Sequence, residues 1–437
     1  MNDKLNSSAA WSWNDVRFFA GLDWAKDHHD IAVVDAQGRN RLSRRFNDTA
    51  DGWADIRERL VALVGPDLSV VGVSIETCSG PAVERLLALG CRVYPINPRS
   101  ARAYRTRKAP SGTKDDALDA WSFADALRTD GHAWRPLTPE DPLTQQLRLL
   151  CRDEVALIGQ RTALVCQLRE ALHEYYPAAL EAFDDWTMRA AWEFIIQFPT
   201  PQQLAGATRR KRQSFLTTHK LHSPQTQERR LAIFARADQF CGSPAVTQAK
   251  SLLAVGIAKQ LITLEAVLKQ YRQRIEELFR QHPDHELFGS LPGLGDKLAP
   301  RMLGECGDDP ARFEDHQALQ CYAGTAPVSY DSGQKRMVKI RRACNKHLRA
   351  AVHLWADLSR RQCAWAQAYY EHKCKQGKTH AEALRCLGQR WLKILHRMIQ
   401  TKQPYDESLH MRNQVAHGSW VIRLTEPDHQ LLKQTAP

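Results

Sequence analysis

Four carboxylates and one serine carry the chemical information in this 437-residue chain. Asp23 follows the apolar run Phe18-Phe19-Ala20-Gly21-Leu22, and Glu76 follows Val70-Val71-Gly72-Val73-Ser74-Ile75. Asp116 and Asp119 stand in Lys114-Asp115-Asp116-Ala117-Leu118-Asp119-Ala120. Far downstream lies Ser332-Gly333. A carboxylate at the end of a buried strand is costly unless a cation holds it. Magnesium bridging a phosphate is a common reason to gather four, and two such ions are expected here. A serine beside a flexible glycine, inside a basic segment, can attack a phosphate itself. The pairing points to DNA strand transfer.

Each signal is weak alone. Asp116 and Asp119, three apart, share a helix face. Asp115 and Asp119, four apart, share one equally well, so spacing leaves both registers open. A lone Ser-Gly is ordinarily a turn, and no activator adjoins Ser332. His28, His29 and His347 are bases only by type and read as surface or packing residues. Two basic runs flank these centres. Arg99, Arg102, Arg105, Arg107, Lys108 and Lys114 have no acidic residue among them. They form an arm suited to holding a phosphate backbone, with Tyr104 available to stack on a base. Lys335, Arg336, Lys339, Arg341 and Arg342 follow Ser332, and no Asp or Glu occurs between Ser332 and Arg349.

The elements that must position these residues come in a definite order. Val16–Leu22, Asp30–Asp35 and Arg41–Phe46 read as strands, with Gln37-Gly38 as a hairpin turn. Ala54–Val64 has helical periodicity, and Ser69–Ile75 is the continuous apolar run of a strand buried on both faces. Helix Ala82–Leu89, strand Cys91–Ile96 and helix Asp115–Leu127 complete an α/β domain over 15–135. Strand-strand-strand-helix-strand-helix-strand-helix is the order of a ribonuclease-H-like fold.

Residues 136–285 are expected to be a helical assembly region. Apolar stripes run from Leu143 to Leu168 and from Leu253 to Leu278. Such stripes suit a long antiparallel or intermolecular coiled coil, and a plain helical bundle suits them equally. Arg209-Arg210-Lys211-Arg212 between them reads as a solvated basic loop. Residues 286–365 read as a compact, mainly helical domain. Its Leu291-Pro292-Gly293-Leu294-Gly295 has a helix-hairpin-helix pattern, whose amides would face a phosphate, or else it is a simple helix corner. Residues 366–437 form an extension that begins helically.

Composition sets the bounds. Charged residues at 25% and hydrophobic ones at 43% suit a globular protein, and the length asks for more than one domain. A formal charge of +12 suits a polyanionic partner. The 11 cysteines include no C-x-x-C pair, which argues against a zinc site. No P-loop pattern occurs. Met1–Trp13 is polar, which predicts neither signal peptide nor anchor. No apolar run approaches the ~20 residues of a membrane span, and cytoplasm is the expected location.

Both halves resemble one known family. Gly21-Leu22-Asp23-Trp24-Ala25-Lys26, Ile75-Glu76-Thr77, Ile96-Asn97-Pro98 and Lys114-Asp115-Asp116-Ala117-Leu118-Asp119-Ala120 resemble the N-terminal DEDD domain of the insertion-sequence one-ten family of transposases. That domain is similar to the RuvC Holliday-junction resolvase. In the family's Lys-Thr-Asp-x-x-Asp-Ala pattern the third letter is the ligand, which matches Asp116 and puts Asp115 on the threonine. Downstream, Leu291–Gly295, Gly304-Glu305-Cys306-Gly307-Asp308, Arg312-Phe313, Tyr322-Ala323-Gly324, Pro327, Ser332-Gly333, Asn345 and Leu348-Arg349 resemble the family's second domain. Cys344 replaces the usual glycine and Arg341 a frequent serine. The resemblance spans roughly residues 16 to 365. It implies that Ser332 is the nucleophile, joined with Asp23, Glu76, Asp116 and Asp119 in one composite site. It implies a recombinase that moves its own insertion element, guided by a structured bridge RNA that pairs with double-stranded donor and target DNA. A homo-oligomer, dimer to tetramer, is implied as well, with no membrane partner. The alternative is a metal-dependent junction endonuclease in which Ser332 is structural. A non-catalytic nucleic-acid scaffold is a third class.

Overall fold

The computed structural model describes residues 12–112, 115–221, 223–333 and 335–419. Residues 1–139 and 140–437 form two compact units.

The first unit is built on a five-stranded sheet of order β3-β2-β1-β4-β5. The strands are β1 (Phe18–Trp24), β2 (His28–Asp35), β3 (Asn40–Asn47), β4 (Val71–Ile75) and β5 (Arg92–Pro95). The first three are antiparallel, while β4 and β5 run parallel to β1. Helices α1 (Ala50–Val64), α2 (Pro81–Ala88), α3 (Pro98–Lys108) and α4 (Asp116–Asp130) complete the unit. Alternation along the strands sorts the side chains to two faces. Ala20, Leu22, Ile31, Val33, Val71, Val73 and Ile75 share a core with Trp53, Ile56 and Leu60 of α1 and Val83 and Leu86 of α2. Phe19, Val34 and Tyr94 pack on the other face with Ala124 and Leu127 of α4. Two sequence expectations shift here. Asp23 lies inside β1 rather than beyond its end. The basic arm is the helix α3, opened by Asn97 capping the Arg99 amide and by Pro98 in its first turn.

Gly21 permits the close seat of α4 on the sheet. A Cβ there would lie 2.0 Å from the Ala120 carbonyl oxygen and 2.6 Å from the Ala124 nitrogen. Backbone cannot yield as a side-chain tip can. Gly21→Ala is expected to lower stability by about 3 kcal/mol, the upper end of ordinary overpacking. Urea denaturation checks this, and a variant of parental stability would refute the close approach.

Among its described residues the second unit is helical apart from one hairpin. A long helix, α5 (Pro142–Tyr175), is followed by α6 (Pro177–Ala182), α7 (Arg189–Gln197), α8 (Pro201–Gly206), α9 (Arg209–Thr218) and α10 (Pro224–Ala235). Then come α11 (Pro244–Gln281), α12 (His285–Gly289), α13 (Gly295–Cys306) and α14 (His316–Tyr322). The hairpin β6 (Val328–Ser332) and β7 (Lys335–Lys339) precedes α15 (Lys346–Ser359), α16 (Ala364–Lys375), α17 (His380–Thr401) and α18 (Glu407–Ala416). The two apolar stripes meet within the chain. Helices α5 and α11 run antiparallel, linked by Lys250–Glu174 at 2.6 Å, Arg161–Glu265 at 2.8 Å and Arg272–Glu154 at 3.3 Å. One end of the pair enters a core with α6 to α10, and the other end a core with α12 to α17. That second core continues to Ile399, so the expected boundary at 365/366 falls inside α16.

Two further expectations are corrected, and one of two open readings is favoured. Arg209–Arg212 is the first turn of α9, not a loop, and Arg212 is buried with its Nε donating to the Leu204 carbonyl at 3.0 Å. The Gly293 amide does not face outward to a phosphate. It donates to Gln362 Oε1 at 2.8 Å, and a Cβ there would meet the Ser359 nitrogen at 2.5 Å, so this glycine belongs to a helix corner. Finally, α11 contains an 18-residue stretch of mean hydropathy 1.6, long and apolar enough to cross a membrane by length and composition. Only part of that apolar surface lines the seam with α5, since Leu252 and Leu253 are exposed. Ala254, Ile257, Ala258, Leu261 and Leu268 are buried along it.

Candidate active site

The carboxylates gather on the sheet face that α4 covers. In the β1–β4 register Leu22 pairs with Ile75, which places Asp23 and Glu76 at adjacent strand ends. In the β1–β2 register Asp23 pairs with Asp30. Asp116 and Asp119 occupy the first turn of α4, where unpaired backbone amides favour negative charge. Asp115 is the exposed residue before the helix and makes no side-chain capping bond. The helix register therefore turns Asp116 and Asp119 together toward the sheet.

Electrostatics report the convergence. The Asp23 carboxyl is pushed up to about 6, first by burial and then by repulsion from Asp119, Asp116, Glu76 and Asp30. Two arginines answer the excess charge. Arg45 on β3 bridges Asp30 at 2.9 Å and Asp116 at 2.8 Å. Arg105 on α3 holds both oxygens of Asp119, at 2.9 and 2.7 Å. Ligand atoms of His28, Asp30 and Asp116 lie within 4.8 Å of one another. The face thus has the donor set of a hard divalent cation, and it draws on protein cations to balance it. Asp23, Glu76, Asp116 and Asp119 would hold such an ion, with Asp30 and His28 beside them. Asp30 and Arg45 are absent from the sequence expectation, which took His28 for a surface or packing residue. The one available signal was the short hairpin after Asp23, which brings Asp30 opposite it.

The raised Asp23 has a testable consequence. Its folded-state value lies above the ordinary carboxylate value of about 3.9, so the stability it contributes is fully present below about pH 4 and lost as pH rises through about 6. Asp23→Asn removes the repulsion. In chelator it is expected to raise the melting temperature by a few degrees at pH 7.5, with the gain vanishing near pH 4. An equal gain at both values would show that repulsion is not the cause.

Around this face α3 presents Arg99, Arg102, Arg107 and Lys108 to solvent. Lys108 Nζ lies 4.0 Å from the centre of the Trp121 ring. Lys114 lies outside the described residues. Arg105 is committed to Asp119 rather than free for phosphate. Tyr104 is not a free stacking platform, since its hydroxyl donates to Asp130 and its ring packs edge-on to Trp134 at 6.2 Å.

Ser332 ends β6 at the tip of an exposed hairpin, and Gly333 takes the turn with φ +54°. Antiparallel register sets Ser332 opposite Lys335, Tyr330 opposite Met337 and Val328 opposite Lys339. Paired residues share a face, so the serine hydroxyl has a lysine as its direct cross-strand neighbour. Lys339 Nζ sits 4.8 Å from the Tyr330 ring centre. The Arg336 side chain lies outside the described residues. Arg342 is exposed, while Arg341 donates to the Ala326 carbonyl at 3.4 Å.

The other downstream motif residues build the hairpin's support. Glu305 is buried and accepts from Arg152 Nε at 2.6 Å and Nη2 at 2.7 Å. It also accepts from Asn345 Nδ2 at 2.6 Å, while Asn345 Oδ1 caps the start of α15 at His347 and Leu348. That bonding favours the ionised acid, and Glu305 stays below its ordinary range despite burial. Gly324 leaves room for Cys344, whose sulfur would lie 2.5 Å from a Cβ there.

Residues 20–177 match the DEDD transposase model of IS110, and residues 285–371 match the model of the transposase IS116/IS110/IS902 family. The chain is similar to the mini-circle putative transposase for IS117 of Streptomyces coelicolor, at 35% identity over 90% of this chain and 97% of that one. It is also similar to the 42 kDa protein of insertion element IS900 from Mycobacterium paratuberculosis, at 29% identity over 89% and 96%. The 44.8 kDa protein of insertion element IS116 from Streptomyces clavuligerus is 28% identical over 89% and 96%.

Proposed function

The chain belongs to the IS116/IS110/IS902 family of transposases, enzymes that cut and rejoin DNA, and from that premise we propose a division of labour between its two units. The first unit is a ribonuclease-H-like, RuvC-like domain that uses Asp23, Glu76, Asp116 and Asp119 to bind two magnesium ions at a DNA phosphate. The observation that carries this reading is the placement of Asp23 and Glu76 at adjacent strand ends beside Asp116 and Asp119 in the first turn of α4. When bound, magnesium supplies charge that the transition state needs on its phosphoryl oxygens. Arg45 is half-exposed and would be free to leave Asp116 as a ligand for such an ion. Arg102 and Arg107 hold the adjoining backbone.

The second unit supplies the nucleophile. Ser332 Oγ attacks phosphorus as one bridging P–O bond of the strand breaks. The serine proton leaves to solvent or a nearby base, and the displaced DNA oxygen takes up a proton. The phosphoserine ester conserves the energy of the broken strand, so rejoining needs no ATP. Lys335, together with Lys339, Arg342 and Arg336, offsets the charge that builds on the phosphate. Gly333 gives the turn its backbone freedom.

Target choice by a structured guide RNA agrees with a net charge of +12 and a basic surface fitted to backbone rather than to base edges. Assembly into a homo-oligomer would hold donor and target DNA together. Trapping a covalent protein–DNA adduct is the decisive test. Cleavage with no adduct would favour the metal-dependent junction endonuclease.

A further inference from the structure

The C-terminal elements enclose a second site, lying largely beyond the matched family segments. Helices α16, α17 and α18 surround a groove of about 550 Å³, within the usual size of a ligand pocket. Trp365 and Tyr369 form its buried base, and Trp365 Nε1 donates to Tyr405 Oη at 3.1 Å, holding that half-exposed ring at the surface. Arg390, Lys393 and Arg397 line one side of α17 about one helical turn apart, all exposed. Among the described residues none of the three pairs with a carboxylate. Arg390 instead lies over the Tyr369 ring at 5.6 Å. Asp406 also lines the groove, but its Oδ1 accepts from the Leu409 amide as the cap of α18.

Three cations with no carboxylate partner among the described residues, beside an aromatic and apolar floor, make an amphipathic seat. An acidic protein segment would satisfy the cations and leave the floor bare. A folded duplex presents phosphates but keeps its bases stacked inside. A single strand offers both a phosphate row and a free base face. We propose that this groove binds single-stranded nucleic acid, with its backbone along Arg390, Lys393 and Arg397 and a base against Tyr405. The proposal rests on nucleic acid being the partner of this chain, and not on the magnesium or serine chemistry.

The test uses the intact protein without added metal, and fluorescein-labelled 12-nucleotide RNA, DNA and duplex probes read by anisotropy. Lys393→Glu/Arg397→Glu is expected to weaken single-strand binding about tenfold and make the slope of log K against log salt less steep by about 1.4, two contacts at ~0.7 each. Lys375→Glu/Lys378→Glu, an equal charge change on exposed lysines outside the groove, is expected to change single-strand affinity less than threefold. A stronger loss for RNA than for DNA would identify RNA as the strand, and the reverse would identify DNA. Equal losses in the two double variants would overturn the proposal in favour of general electrostatics. An undiminished affinity in Lys393→Glu/Arg397→Glu, a loss confined to duplex, or tighter binding of a polyglutamate peptide than of either single strand would also overturn it.

Discussion

Asp116→Asn is expected to abolish strand cleavage, by about 10³-fold or more, while Asp115→Asn is expected to stay within about twofold of the parent. A bound metal contributes several kcal/mol of charge stabilisation in a transition state, and about 4 kcal/mol is a factor near 10³. Asp116 lies in the first turn of α4, tied to Arg45 at 2.8 Å and acting electrostatically on Asp23. Asparagine keeps its shape and loses its charge. Asp115 is exposed, and asparagine starts a helix as well as aspartate does. Magnesium titration calorimetry on both variants gives a readout independent of activity, with weakened binding expected only for Asp116→Asn. If Asp115→Asn proves the inactive protein, the register of the metal set is wrong.

The second large effect concerns Ser332. Ser332→Ala is expected to bind DNA as the parent does, form no covalent adduct, and lose on the order of 10⁴-fold or more in recombination, as enzymes do when a nucleophile is removed. Folding should be untouched, because the side chain is exposed at a hairpin tip. Lys335→Ala should cost about 10²-fold, the usual effect of losing one donor to a developing oxyanion, with adduct still detectable. Gel shift of denatured protein–DNA complexes reads the adduct directly. An active Ser332→Ala protein would end the serine mechanism and leave metal-dependent hydrolysis in its place.

Much of the frame was legible before any coordinates. Strand alternation and the buried run before Glu76 depend on local chemistry, so the succession of elements and the placement of Glu76 just past β4 could be read directly, whereas β1 runs on through Asp23. The 3-4 spacing of the stripes required two long helices. That spacing could not say whether the stripes pair within a chain or between chains, because a seam looks alike from either side. Within this chain α5 and α11 meet each other, with Glu154, Glu174 and Glu265 paired to Arg272, Lys250 and Arg161. Spacing alone left Asp115 and Asp116 open, since three and four both share a helix face, and the family pattern pointed to Asp116, where α4 starts.

The sequence by itself determined which residue types reach each strand end, and with them the four carboxylates and the serine beside its glycine. Only tertiary structure decided their company. Asp30 stands against Asp23 because of hairpin register, Arg45 reaches Asp116 from an edge strand, and Arg105 turns inward from α3 to Asp119. These contacts join residues 7 to 71 positions apart in sequence, and no local periodicity encodes them. They arise when buried like charges pull in whatever cations the fold has brought within reach, which is a property of the packed molecule and not of any segment.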